Sequence, residues 1–229
     1  LSLKSVVPIN FMKKSLKRSL ARFMIVPTLI ALPSCSLGQS HRPIAISYLL
    51  DQSASAQNDE QFQKDRKRVC QAIAKGLVPG DEFGVIFVTG ESALFQNLQR
   101  ANPALVRKEC QQQPVKQKPG TLVCPAVAGA KKQFESTKIR LPILVLQVQV
   151  NEKEAPCQEI MRDTAQLVIK RGGSVLVLNS TNEGGESFRA ELEAALEGLP
   201  ILYSQTQPEI AVKETIEETR NKGDRNATK

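Results

Sequence analysis

The sequence has no tryptophan, two tyrosines and one histidine, and aromatic residues make up 4% of it. A core built from it must rest on valine, isoleucine, leucine and alanine. With His41 as the sole imidazole, no Ser–His or Cys–His couple is available to activate a nucleophile in a folded core. The five cysteines include no C-x-x-C pair, which removes the usual framework of a structural zinc site. There is no glycine-rich phosphate loop of the P-loop type, and no internal repeat or low-complexity block.

What is present is ordinary in amount: 229 residues, 41% hydrophobic and 24% charged, enough for one domain with extensions. The net charge of +8 invites a nucleic-acid reading, but it is concentrated at one end. The first 34 residues hold Lys4, Lys13, Lys14, Lys17, Arg18 and Arg22 and no acid, leaving 25 of the 31 basic residues against 23 acidic ones. A body so nearly balanced gives no electrostatic footprint for nucleic acid, and no nucleic-acid partner is expected.

The basic end reads as an address. Met12-Lys13-Lys14-Ser15-Leu16-Lys17-Arg18 is followed by a short apolar run, Phe23 to Leu32, then Ser34 and Cys35. This is the three-part pattern of a secretory signal, and the run is too short to span a bilayer well. Pro27 and Pro33 argue against a continuous anchoring helix. Leu32-Pro33-Ser34-Cys35 resembles the lipobox of bacterial lipoproteins, although Pro33 stands where a small residue is usual; ordinary signal cleavage nearby is the alternative. The resemblance implies that Cys35 is lipidated as the mature N-terminus, and Ser36 after it implies sorting to the outer membrane. The expectation is a signal peptide over 1–35, with residues 1–11 upstream of the true start at Met12, and a tether over 36–43. The protein is then exported and lipid-anchored in the bacterial cell envelope, on the periplasmic side or at the outer membrane. Four cysteines remain, Cys70, Cys110, Cys124 and Cys157. An even number in an exported chain permits two disulfides in any of three pairings.

Along the mature chain, Ile44 to Leu50 reads as a buried strand. Residues 58–76 have helical spacing, with Phe62, Val69, Ile73 and Leu77 near one face and Gly76 as a stop. Pro79-Gly80-Asp81 is a turn, 83–88 a second strand and 92–98 its antiparallel partner. Asn102-Pro103 opens a helix over 102–112, 111–120 is a loop and 125–134 a helix. A strand over 143–150, a helix over 157–171 ending at Gly172-Gly173 and a strand over 174–178 follow. Residues 186–198 form a helix with Phe188, Leu192, Ala195 and Leu196 apolar, 200–204 a last short strand and 208–220 a closing helix. These elements predict an α/β domain over 44–220: a doubly wound, mainly parallel six-stranded sheet with one antiparallel edge strand and helices on both faces. Residues 221–229 form a polar tail.

Ligands in such sheets bind where loops leave the carboxyl ends of the strands. Asp51-Gln52-Ser53-Ala54-Ser55 stands at such an end. A carboxylate and two hydroxyls at alternate positions suit a hard cation such as Mg²⁺, which takes oxygen ligands and keeps several waters. A helix entry, with Asp or Ser capping backbone N–H groups, is the competing reading.

The segment 44–55, Ile-Ala-Ile-Ser-Tyr-Leu-Leu-Asp-Gln-Ser-Ala-Ser, resembles the first strand and D-x-S-x-S loop of the von Willebrand factor A family, with its metal-ion-dependent adhesion site. Val78 to Val88 is similar to that family's second strand and preceding turn. Gly120-Thr121-Leu122 resembles the segment bearing its metal-binding Thr, and Pro200 to Glu218 its last strand and closing helix. The resemblance implies a Rossmann-like sheet in which Ser53, Ser55 and Thr121 offer hydroxyl oxygens to Mg²⁺ or Mn²⁺. Asp51 acts through metal-bound water, and a partner's acidic side chain fills the open position. The family usually carries another Asp after its fourth strand; here Gln149 falls nearest, an oxygen without charge. That fold also implies that Cys110 ends a helix rising toward the site face, while Cys124 and Cys157 begin helices leaving it. On that placement a Cys110–Cys124 bridge, closing the 111–120 loop and holding Thr121, is preferred to Cys124–Cys157.

The function expected is an envelope-anchored module that holds a protein or peptide partner through a partly degenerate adhesion-type metal site, and not an enzyme. The alternative is a metal-free interaction lipoprotein of the same fold. A third reading, a phosphohydrolase using Asp51, lacks the second Asp two residues on, since position 53 is Ser.

Overall fold

A computed structural model describes residues 41–89, 94–112, 122–149, 157–178, 192–204 and 206–225. The expected signal peptide, Cys35 and residues 36–40 of the tether lie outside the described residues, as do Thr121 and the first half of the 186–198 helix with Phe188.

Strand β1 (Ile44–Asp51) is buried along its whole length. It pairs in parallel with β2 (Glu82–Val88) on one side and β5 (Leu141–Gln147) on the other. β6 (Ser174–Leu178) and β7 (Ile201–Ser204) continue the parallel sheet outward from β5. At the other edge β3 (Leu94–Phe95) and β4 (Gln99–Arg100) both run antiparallel to β2. The expected sheet is therefore present, mainly parallel with an antiparallel edge. That edge is two short pieces rather than one strand over 92–98. Gly84 shows why they separate. A Cβ there would lie 2.7 Å from the Gln96 carbonyl oxygen and 3.1 Å from the Leu98 nitrogen, so only glycine lets residues 96–98 cross over β2.

The alternation of β1 sorts its side chains to two faces. Ile44, Ile46, Tyr48 and Leu50 join a core with Phe62, Val69 and Ile73 of α2 (Glu60–Gly76), Val106 of α3 (Pro103–Gln111) and Val212 and Ile216 of α6 (Pro208–Arg225). Leu49 faces the other way, among Val127 and Phe134 of α4 (Val123–Ser136), Met161 and Val168 of α5 (Gln158–Lys170), and Leu192, Ala195 and Leu196. The sheet is covered on both faces, as a buried parallel sheet requires. No helix among the described residues is long and apolar enough to cross a membrane.

Local signals set the helix ends. Asp59 caps α2 through Oδ1, which accepts from Gln61 and Phe62 N–H at 2.8 and 3.0 Å. Asn102 caps α3 at 2.8 Å from Leu105 N, with Pro103 in the first turn. α5 closes on Gly172 at φ +80°; Gly172 N donates to Ile169 O and Gly173 N to Val168 O, the paired bonds that end a helix on a left-handed glycine. The sequence did not anticipate α1 (Ala54–Asn58), a short helix that precedes α2 and is separated from it by the Asp59 cap.

A buried ion pair locks the pole of the sheet opposite the loop. Asp81 is fully buried and accepts from Ile44 N at 3.0 Å and Val78 N at 2.7 Å. Arg220 of α6 closes on it and also donates to Gly76 O at 2.9 Å. One carboxylate thus joins β1, the turn before β2, and the last helix.

The disulfides correct the preferred pairing. Cys70 is bonded to Cys110 and Cys124 to Cys157, with Cα separations of 6.1 and 5.2 Å. A Cys110–Cys124 bridge is absent because the two cysteines belong to opposite faces. α3 packs beside α2 on one side of the sheet, and α4 beside α5 on the other.

Candidate functional site

The sheet order places β1 between β2 and β5, so the chain leaves β1 toward one side of the sheet and returns to it on the other. The helices after β1 cover one face and the helix after β5 covers the other. Their connections diverge, and the crevice at the carboxyl ends of β1 and β5 is a topological switch point. Asp51 is the last residue of β1, and Gln149 lies two residues beyond β5.

Asp51 is fully buried. Its Oδ1 accepts from Ser53 N at 2.7 Å, closing the loop on itself, and its Oδ2 accepts from Gln149 N at 2.7 Å. One carboxylate therefore ties the turn after β1 to the segment after β5. Burial raises its pKa to about 6, against the lowering effect of the bonds from Ser53 and Gln149. Desolvation outweighs the hydrogen bonds from Ser53 and Gln149, and no cation among the described residues adds to the lowering. Among the described residues no group of three His, Cys, Asp or Glu side chains gathers to hold a metal.

Ser53 is almost buried, Ser55 is exposed, and their hydroxyl oxygens are 3.0 Å apart. Ser53 is also the N-cap of α1, its Oγ 3.4 Å from Ala56 N, so the capping role is real, but the bond is long. The spacing of the hydroxyls is the stronger observation. Adjacent ligands of an octahedral Mg²⁺, each at about 2.0–2.1 Å, stand roughly 3 Å apart. The two hydroxyls are hydrogen-bonded to each other at that distance, and the same spacing suits neighbouring positions on such an ion once the shared proton turns away. Both Asp51 oxygens accept from backbone N–H groups, and the Ser53 side chain hydrogen-bonds to the same carboxylate.

Gln149 enters the site by its backbone. Its side-chain Nε2 donates to Asp59 Oδ2 at 2.6 Å, so the amide is engaged with the α2 cap. Thr121 lies outside the described residues; its neighbour Leu122 donates to Thr89 O at 3.0 Å, beyond the end of β2.

Beneath the loop is a polar layer that sequence reasoning missed. Gln52 is fully buried, with its amide oxygen turned to Arg66 at 3.0 and 3.1 Å from the two terminal nitrogens. Tyr48, also fully buried, donates to Gln147 Oε1. Burial raises the Tyr48 pKa, with Arg66 acting in the opposite sense, so the phenol stays a neutral donor. Burial likewise lowers the Arg66 pKa. The sequence signal was Tyr48 and Gln147, polar residues inside largely apolar strands.

No family model and no curated protein matches the sequence. Solved structures do match the fold. A von Willebrand factor type A protein from Catenulispora acidiphila is similar at 17% identity and a TM-score of 0.58, over 80% of this chain and 43% of that one. A serine-substituted aerotolerance-related membrane protein from Bacteroides fragilis is similar at 16% identity and a TM-score of 0.56, over 79% of this chain and 98% of that one. The pilus adhesin SpaC from Lactobacillus rhamnosus GG is similar at 12% identity and a TM-score of 0.55, over 81% of this chain and 31% of that one. The chain thus spans less than half of the first and the third.

Proposed function

We propose that this chain, whose fold is that of a von Willebrand factor A domain, is an exported, lipid-anchored module that binds a protein partner through the loop at Asp51. A divalent cation, Mg²⁺ or Mn²⁺, supplies the Lewis acidity that attracts the partner's carboxylate. Ser53 and Ser55 would hold it, with Thr121 added on the family resemblance alone, and Asp51 would act through a metal-bound water. The observation that carries the reading is the 3.0 Å spacing of the two hydroxyls beside a pinned carboxylate. The likeness of fold to a pilus adhesin is in keeping with a binding role. A phosphohydrolase using Asp51 is not the reading adopted, because position 53 is Ser where such sites carry a second Asp. Mg²⁺ or Mn²⁺ should raise the melting temperature of the native protein, and Asp51→Ala with Ser53→Ala should abolish the effect; equal melting of the native protein with the ion and with chelator would remove the metal from the reading.

A metal-free interaction module is the second reading, favoured by Gln149, whose amide is spent on Asp59 rather than adding charge to the site. It predicts equal melting in Mg²⁺ and in chelator, and partner binding unaffected by either.

A further inference from the structure

A groove of about 320 Å³ runs between α2 and α3, large enough for part of a peptide or a small ligand. Its lining carries Arg66, Lys67 and Arg107 and no acidic side chain. Lys67 and Arg107 are exposed, whereas Arg66 is only 6% exposed.

Arg66 is the informative residue. Its hydrogen bonds go to neutral oxygens: the Cys110 and Gln112 carbonyls and the Gln63 and Gln52 amides. Among the described residues no carboxylate lies within ion-pair distance of it. Arg220, equally buried, has Asp81. Neutral dipoles satisfy the donors of a guanidinium but leave its net charge uncompensated, and buried charge is normally paired. With two exposed cations beside it, no described residue supplies the compensating charge, and the groove presents a positive field to a ligand.

The rest of the lining identifies the chemistry of that ligand. Gln71 and Gln111 line the groove beside the Cys70–Cys110 disulfide, while the Gln63 amide is engaged with Ala56 O and Arg66. An amide side chain both donates and accepts, which matches the alternating N–H and C=O of an extended peptide. A phosphate or phospholipid headgroup offers acceptors almost alone and leaves those amide oxygens unmatched. We propose that the α2–α3 groove docks an extended acidic peptide segment of a protein partner, its carboxylates set on Lys67 and Arg107 over the field of Arg66. The groove opens between α2 and α3 and touches the loop at Asp51 only through the Arg66–Gln52 contact; it does not depend on a cation there.

The test is fluorescence anisotropy of a labelled Asp/Glu-rich hexapeptide against the full chain with its disulfides intact. The Asn/Gln counterpart, inorganic phosphate and anionic phospholipid vesicles serve as competitors. The acidic peptide binds, more weakly as salt rises. Lys67→Glu with Arg107→Glu lowers its affinity by roughly tenfold or more. Chelator leaves binding unchanged, which distinguishes this groove from the proposed metal site. Both substituted side chains are exposed, so the variant alters charge rather than packing. The proposal is overturned by no binding, by equal binding of the Asn/Gln peptide, by unchanged affinity in the double variant, or by displacement with phosphate or vesicles.

Discussion

Replacing Asp51 with Asn isolates the contest between burial and hydrogen bonding at the loop. Burial raises the Asp51 pKa from 3.8 to about 6. The folded state then holds this proton more tightly than the unfolded chain does, so the group's contribution is fully present below about pH 4 and is lost as pH rises through about 6. At about 1.4 kcal/mol per pKa unit, the native protein should lose about 2 kcal/mol relative to Asp51→Asn between pH 4 and pH 7. Asn carries a fixed cost of its own, because its NH₂ must face Ser53 N–H or Gln149 N–H where Asp51 offers an acceptor to each. That cost does not change with pH and drops out of the slope. Urea unfolding of both proteins in chelator, at half-unit pH steps, reads the difference directly. Parallel curves would refute the reasoning. A native protein that gains on the variant as pH rises would show that the two hydrogen bonds outweigh desolvation.

Other perturbations test the scaffold. Arg220→Ala leaves Asp81 buried without its cation and should cost about 3–5 kcal/mol in urea unfolding, with little change if the pair is dispensable. Removing the Cys70–Cys110 or the Cys124–Cys157 bridge, which span 40 and 33 residues, should cost about 2–4 kcal/mol each by loop-closure entropy. Peptide mapping without reduction should recover those two linkages, and a Cys110–Cys124 linkage would contradict the two-faced packing. Gly84→Ala should detach β3 and β4 from β2, seen as faster amide exchange at 94–100 with the central strands protected.

The parts of the fold legible in the sequence were those that local chemistry decides. The apolar run from Ile44, the spacing of Phe62, Val69 and Ile73, the Asn102-Pro103 entry and the Gly172-Gly173 exit each state an element without reference to any other. The position of Asp51 at a strand end followed from the same run. What stayed hidden depends on neighbours distant in sequence. Gly84 matters because residues 96–98 pass over it. The cysteine pairing depends on which face each helix covers, a property of the crossovers rather than of the spacing. Arg66 looks like any solvated cation in a run of charges, yet Gln52 and the end of α3 enclose it. Gln149 was expected inside a strand over 143–150, whereas β5 ends at Gln147; the contact of its backbone with Asp51 and of its amide with Asp59 belongs to the crevice.

The central claim is that Ser53 and Ser55 form, with Asp51 behind them, a seat for a divalent cation. Thermal unfolding of the native protein and of Ser53→Ala/Ser55→Ala, each with Mn²⁺ and with chelator, tests it most directly. At a concentration about a hundredfold above the dissociation constant, binding to the folded state alone adds about 2.7 kcal/mol. The native protein should therefore melt several degrees higher with Mn²⁺ and the variant at one temperature in both. Identical melting of the native protein with and without the ion, or equal stabilisation of the variant, would contradict the account.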